Sequence, residues 1–167
     1  EHQGSNWNEL MVAPVPARHV FCTKLVVVGV CMLVAFASIV AAYVACGVAL
    51  GVPGSFPVGS TLLYVALGWL GSLAIAALQL VVSMLVRSFA APVGMALAGG
   101  VAGLMATIAG AGYVFPYSLM QMGMNSNAMV SLSASNVATI VVMSVVWTAA
   151  AVAFAILRLR RHDIHAS

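Results

Sequence analysis

Four stretches of this chain contain no charged side chain and each reaches the length of a membrane span: Leu25–Leu50, Thr61–Val86, Phe89–Val114 and Val137–Leu157. A helix of about 20 such residues crosses the hydrocarbon core of a bilayer, and any backbone placed there must satisfy its own hydrogen bonds. The expectation is an all-α integral membrane protein with four transmembrane helices. A soluble alternative would need polar surface that is missing: 63% of the 167 residues are hydrophobic, 5% are charged, and the mean hydropathy is +1.13.

The few charges set the orientation. Arg18 and Lys24 precede the first span, Arg87 joins the second to the third, and Arg158, Arg160 and Arg161 follow the fourth. All six cations thus lie on one side, which the positive-inside rule assigns to the cytoplasm, with both ends of the chain there. The opposite connections, Gly51–Ser60 and Phe115–Asn136, are uncharged and rich in Gly, Pro, Ser and Asn. The net charge of +3 is dispersed over span ends and gives nucleic-acid binding no support.

Within the spans, Pro92 falls in a first helical turn, where a missing N–H costs little, and Gly112–Pro116 carry breaker chemistry that closes the third span. That span holds small residues at helical spacing, Gly94, Ala98, Ala102, Ala106 and Gly110, with Gly99 and Gly103 alongside. Such a face lets helix backbones approach closely in lipid; packing is the plain reading, a conduit lining or sliding surface the other.

No span contains an ionisable group that could relay protons, cage a cation or serve as a catalytic base, which argues against an ion-coupled carrier working alone and against intramembrane proteolysis. Gln79 is the single large polar side chain within a span, accompanied by hydroxyls such as Ser83 and Thr107. The chain also lacks a GxxxxGK[ST] phosphate loop, so ATP used on its behalf is hydrolysed elsewhere. Cys22, Cys31 and Cys46 show no CxxC spacing and read as small apolar residues. Met120, Met122 and Met124 form a thioether cluster with a weak copper reading, and His162 and His165 flank Asp163 beside two arginines that oppose a cation. No metal site is expected. Tyr43, Tyr64, Trp69, Tyr113, Tyr117 and Trp147 suit interface or packing roles, and Tyr113, Tyr117 or Trp147 could touch a lipophilic cargo near the outer mouth.

Ahead of the first span, Asn6 and Glu9 have the form of a capping box, Trp7, Leu10 and Met11 fall on one helical face, and Pro14 and Pro16 end the run. Residues 6–13 are therefore expected to be a short amphipathic helix, either lying at the interface or docking a cytoplasmic partner. A second short run, Arg18–Lys24, is expected to turn the chain into the membrane.

Glu1, Gly4, Trp7, Leu10, the Pro14-Val15-Pro16 step, Arg18 and Lys24 resemble the coupling-helix region of type-2 ABC export permeases, especially the bacterial lantibiotic-immunity and multidrug branch. Leu78-Gln79, Arg87-Ser88-Phe89-Ala90-Ala91-Pro92, Phe115-Pro116-Tyr117-Ser118 and Arg160-Arg161-His162-Asp163-Ile164 are similar to that branch in the same order. Its members have six spans, and the two that precede the coupling helix have no counterpart here. The resemblance implies residues 1–24 as coupling helix and membrane approach, 25–157 as transmembrane domain and 158–167 as cytoplasmic tail, in a bacterial inner membrane. It implies a second permease copy, identical or paralogous, and an ABC ATP-binding subunit that carries ATP and Mg, this chain binding no cofactor. Docking to that subunit is expected at Trp7, Glu9, Leu10, Met11 and Arg18, Arg18 having the alternative role of a membrane-flanking anchor. A substrate pathway is expected near Gln79, Ser83, Tyr113 and Tyr117, for an amphipathic peptide or drug-like compound. The alternative is a non-transporting anchor or assembly subunit of a larger membrane complex. In this family the loop between the last two spans forms short helices that dip toward the bilayer.

Overall fold

A computed structural model describes residues 17–52, 54, 56–86, 88, 90–125 and 131–163, with side chains from His19 to Leu159. Among these the chain is helical, without strands: α1 (Ala17–Ala49), α2 (Val58–Leu85), α3 (Ala90–Ile108), α4 (Leu119–Met124) and α5 (Ala134–Asp163). All but α4 are long and apolar enough to cross a bilayer, which bears out the four-span expectation. The expected coupling helix at residues 6–13, with Trp7, Glu9, Leu10 and Met11, lies outside the described residues, as does the Arg18 side chain.

Three helices differ from the sequence expectation at their ends. No separate run turns the chain in before Leu25: α1 is continuous from Ala17, because nothing between Pro16 and Gly29 breaks it. Its 33 residues make a rod of about 50 Å, longer than a hydrocarbon core of about 30 Å. Likewise α5 continues past Leu157 into the expected tail as far as Asp163, so that Arg158, Arg160 and Arg161 fall within its closing turns. The third span is shorter than expected. It stops at Ile108, and residues 109–114 leave the helix.

Glycine chemistry explains that stop. Gly110 adopts φ +79°, its N–H bonds the Thr107 carbonyl at 3.1 Å, and the Ala111 N–H bonds the Ala106 carbonyl at 2.8 Å. This pair of bonds is a Schellman cap, which favours glycine at the left-handed position. The same device closes α1, with Gly51 at φ +62° and bonds from Gly51 to Val48 and from Val52 to Gly47, both 3.1 Å.

Helix α2 is the centre of the bundle. It packs along α5 and α4 and, less extensively, along α1, whereas α3 touches it only sparsely. Its buried positions Leu67, Gly68, Gly71, Ser72, Ala74, Ala76 and Ala77 are mostly small, as are Ser144, Ala151 and Ala155 of α5. Small residues suit helix contacts in lipid, where close backbone approach replaces the hydrophobic effect as the source of cohesion. Trp69 fastens α1 to α2 by donating its Nε1–H to the Gly29 carbonyl at 2.9 Å.

An inserted segment at the centre of the bundle

After α3 the chain folds back into the bundle instead of crossing its end. Leu119 and Met120 lie against Gly71, in the middle of α2, and Gly123 and Met124 lie against Leu67 and Gly68 one turn away. Tyr117, before them, reaches Gln79 in the last two turns of α2. Residues 109–125 therefore descend beside α3 to the level of the middle of α2, with the Tyr117 side chain reaching further, and return along α2 as the short helix α4. Non-helical backbone at such depth is tolerated only where protein covers it, since an unsatisfied polar group in hydrocarbon costs several kcal/mol.

The cover is visible bond by bond. Ser118, fully buried, donates its hydroxyl to the Gly112 carbonyl at 2.6 Å, with the Phe115 carbonyl at 2.9 Å. The backbone N–H groups of Val114 and Phe115 both point to the Ala111 carbonyl, and that of Ser118 to Phe115. Trp147 of α5 donates its indole N–H to the Val114 carbonyl at 2.9 Å, and Asn136 donates Nδ2–H to the Tyr113 hydroxyl at 3.1 Å. From α2, Gln79 donates Nε2–H to the Tyr117 hydroxyl at 2.6 Å. Asn125 ends α4 at φ 50°, a left-handed position that Asn tolerates better than most residues.

Three glycines make the seat. A Cβ on Gly71 would stand 2.5 Å from the Met120 nitrogen and 2.6 Å from the Leu119 carbonyl carbon; one on Gly123 would stand 2.7 Å from the Leu67 carbonyl carbon. One on Gly68 would stand 2.6 Å from Cγ of Met124. The first two contacts are backbone against backbone, so α4 and α2 meet at a separation that no other residue permits. Leu119, fully buried, fills the joint beside them.

Of the residues expected to line a pathway, Gln79 and Tyr117 are thus brought together, bonded to each other and half-buried. Tyr113 is tied to α5, and Ser83, exposed, donates its hydroxyl to the Gln79 carbonyl of its own helix at 2.8 Å. Among the described residues no bond between side chains joins Ser83 or Tyr113 to the Gln79–Tyr117 pair. The small-residue face of α3 also needs correcting. Gly94 has open space around it, Ala98 and Ala102 are exposed, and Gly110 lies outside the helix; the face in use is Gly99 and Gly103, against Tyr117. Sequence reasoning missed Gly68, Gly71 and Gly123 altogether, although glycine in a helix interior, costing about 1 kcal/mol relative to Ala, was the available signal. Of the methionine cluster, Met122 packs at Gly112 and Met124 at Gly68. Among the described residues no group of His, Cys, Asp and Glu could hold a metal. His162 and Asp163 have no described side chains, and His165 lies outside the described residues.

The family described as ABC-2 family transporter protein matches residues 1–103, from the start of the chain to the buried glycine of α3. No curated protein and no solved structure matches the chain.

Proposed function

This chain belongs to the ABC-2 transporter family, as a permease-type membrane component that works with an ABC ATP-binding subunit, and from that premise we propose that it serves an ATP-driven exporter of amphipathic peptides or drug-like compounds. The observation that carries the reading is the family match itself, which includes residues 1–16 ahead of α1 as well as the first two spans and most of the third. A membrane component without a phosphate loop takes its energy from a partner, and residues 6–13 have the amphipathic pattern that can receive it. The partner binds ATP and Mg. A second permease copy, identical or paralogous, completes the pathway. The basic ends of the spans support a cytoplasmic side that holds residues 1–24 and the end of α5, in a bacterial inner membrane. An apolar bundle without an intramembrane charge suits a cargo that partitions into lipid, as in lantibiotic immunity or multidrug resistance.

In this mechanism Trp7, Leu10 and Met11 occupy an apolar cleft of the ATP-binding subunit, Glu9 caps their helix and Arg18 makes a polar contact. Closure of two such subunits on ATP moves the docked helices and rocks the spans between inward-facing and outward-facing states. The double variant Trp7→Ala/Leu10→Ala is expected to weaken binding of the ATP-binding subunit at least tenfold in a pull-down from detergent, because buried aromatic and aliphatic anchors dominate such interfaces. Undiminished binding would remove the docking assignment.

A further inference from the structure

One hydrogen bond does not saturate the Gln79–Tyr117 pair. A primary amide carries two N–H donors and a carbonyl that accepts, and a phenolic hydroxyl both donates and accepts. In the 2.6 Å bond the Gln79 Nε2–H donates and the Tyr117 oxygen accepts, which leaves the Tyr117 proton to be given elsewhere. Among the described residues nothing takes that proton, and nothing donates to the Gln79 side-chain carbonyl. An O–H donor and a C=O acceptor thus stand side by side in the membrane-spanning bundle, where unanswered polar groups are costly. Both side chains are half-buried, so a ligand can reach them.

The place of the pair is as specific as its chemistry. Gln79 lies about 12 Å along α2 from Gly71, toward the end of the helix that Arg87 follows. Away from that end, α4 is interlocked with α2 at Gly71. Ser83, exposed and one turn nearer the basic end, donates its hydroxyl to the Gln79 backbone carbonyl at 2.8 Å, and its oxygen can still accept. On the other side α3 leaves room for the phenol: a Cβ on Gly99 would stand 2.6 Å from Cζ of Tyr117, the carbon that bears the hydroxyl. Ser83, Gln79 and Tyr117 therefore form a short neutral track that ends beneath the inserted segment.

We propose that Gln79 and Tyr117 bind the backbone of an extended peptide cargo, the C=O of one cargo residue accepting the Tyr117 O–H and its N–H donating to the Gln79 carbonyl. A residue in extended conformation points its own N–H and C=O to the same side, which matches an acceptor and a donor set next to each other. The four spans hold no acid to pair with a cationic group and no base to pair with an anionic one, so the recognised group is neutral. A ligand that lacks either half leaves one member of the pair unanswered. Ser83 offers a further hydrogen-bonding group on the approach from the basic end, which the exporter reading places at the inner leaflet. That the bound peptide is cargo rests on that reading; the chemistry of the site rests on the bonds.

Equilibrium binding tests the site on the intact permease in lipid nanodiscs. The probe is a tritiated tripeptide of leucine, acetylated and amidated so that it carries no charge, with binding to empty nanodiscs subtracted. Saturable binding is expected, about tenfold weaker for the same peptide methylated on its peptide nitrogens. Gln79→Leu and Tyr117→Phe are each expected to weaken binding of the unmethylated peptide to a similar degree. Absence of saturable binding, or equal affinity for the methylated peptide, would overturn the proposal on the native protein, however well the variants fold. Unchanged affinity in either variant would also overturn it. Adding the ATP-binding subunit and ATP in proteoliposomes separates the site from the exporter reading. ATP-driven movement of the peptide supports both, whereas binding that passes every comparison without such movement supports the site and counts against export.

Discussion

Replacing Gly71 by Ala is expected to destabilise the protein by about 3 kcal/mol, the upper end of the usual cost of overpacking a core by a methyl group. The added Cβ would stand 2.5 Å from the Met120 nitrogen and 2.6 Å from the Leu119 carbonyl carbon, and neither can rotate away because both belong to backbone. Relief would require α4 to lift from α2, withdrawing Leu119 from its buried site and loading strain on the Gln79–Tyr117 bond. Gly123→Ala meets the Leu67 carbonyl carbon from the other side and should behave alike. Gly100→Ala is the internal control. Nothing stands within 4 Å of its Cβ position, so the helix-propensity gain of about 1 kcal/mol should appear with no packing loss. Thermal unfolding of the purified variants in detergent checks the contrast; equal midpoints for Gly71→Ala and Gly100→Ala would contradict the joint.

Tyr117 offers the second large effect, and two substitutions separate its two contributions. Tyr117→Ala empties the space over Gly99 and removes the partner of Gln79, for an expected loss of about 3–4 kcal/mol by analogy with aromatic truncations in cores. Tyr117→Phe keeps the ring on Gly99 but leaves the Gln79 amide without this acceptor, an expected loss of about 1–2 kcal/mol. In Gln79→Leu the amide is gone as well, so adding Tyr117→Phe to it should cost much less than Tyr117→Phe alone. Denaturation midpoints of the four proteins measure this. Additive losses would mean that the bond contributes nothing to holding the inserted segment.

Much of the architecture was legible in the residues. Uncharged runs mark spans because the cost of a charge in hydrocarbon excludes it, and Arg87 between two runs marks a turn for the same reason. What hydropathy does not distinguish is a spanning segment from one that enters and returns. Residues 109–114 are uncharged like the helix before them, so the third span was expected to reach Val114, although Gly110 and Ala111 cap it beforehand. Only the left-handed requirement at a glycine that ends a helix gave a local warning, and several other glycines nearby dilute it.

Pairing was the other illegible part. Gln79 was expected to matter as a polar group in a span and Tyr117 as an aromatic near the outer mouth, yet their 38-residue separation hides that each serves the other. Small residues on α3 were read as a packing surface, but a helix with ten alanines and glycines presents more than one possible face, and only the inserted tyrosine selects Gly99 and Gly103.

The central claim is that this membrane component is driven by a separate ATPase through residues 6–13. The most direct measurement is the ATP hydrolysis rate of its ATP-binding subunit, alone and with the intact permease in lipid nanodiscs. The account predicts a rate that changes severalfold on assembly and returns to that of the isolated subunit with Trp7→Ala/Leu10→Ala. A rate indifferent to both the permease and the double substitution would contradict it.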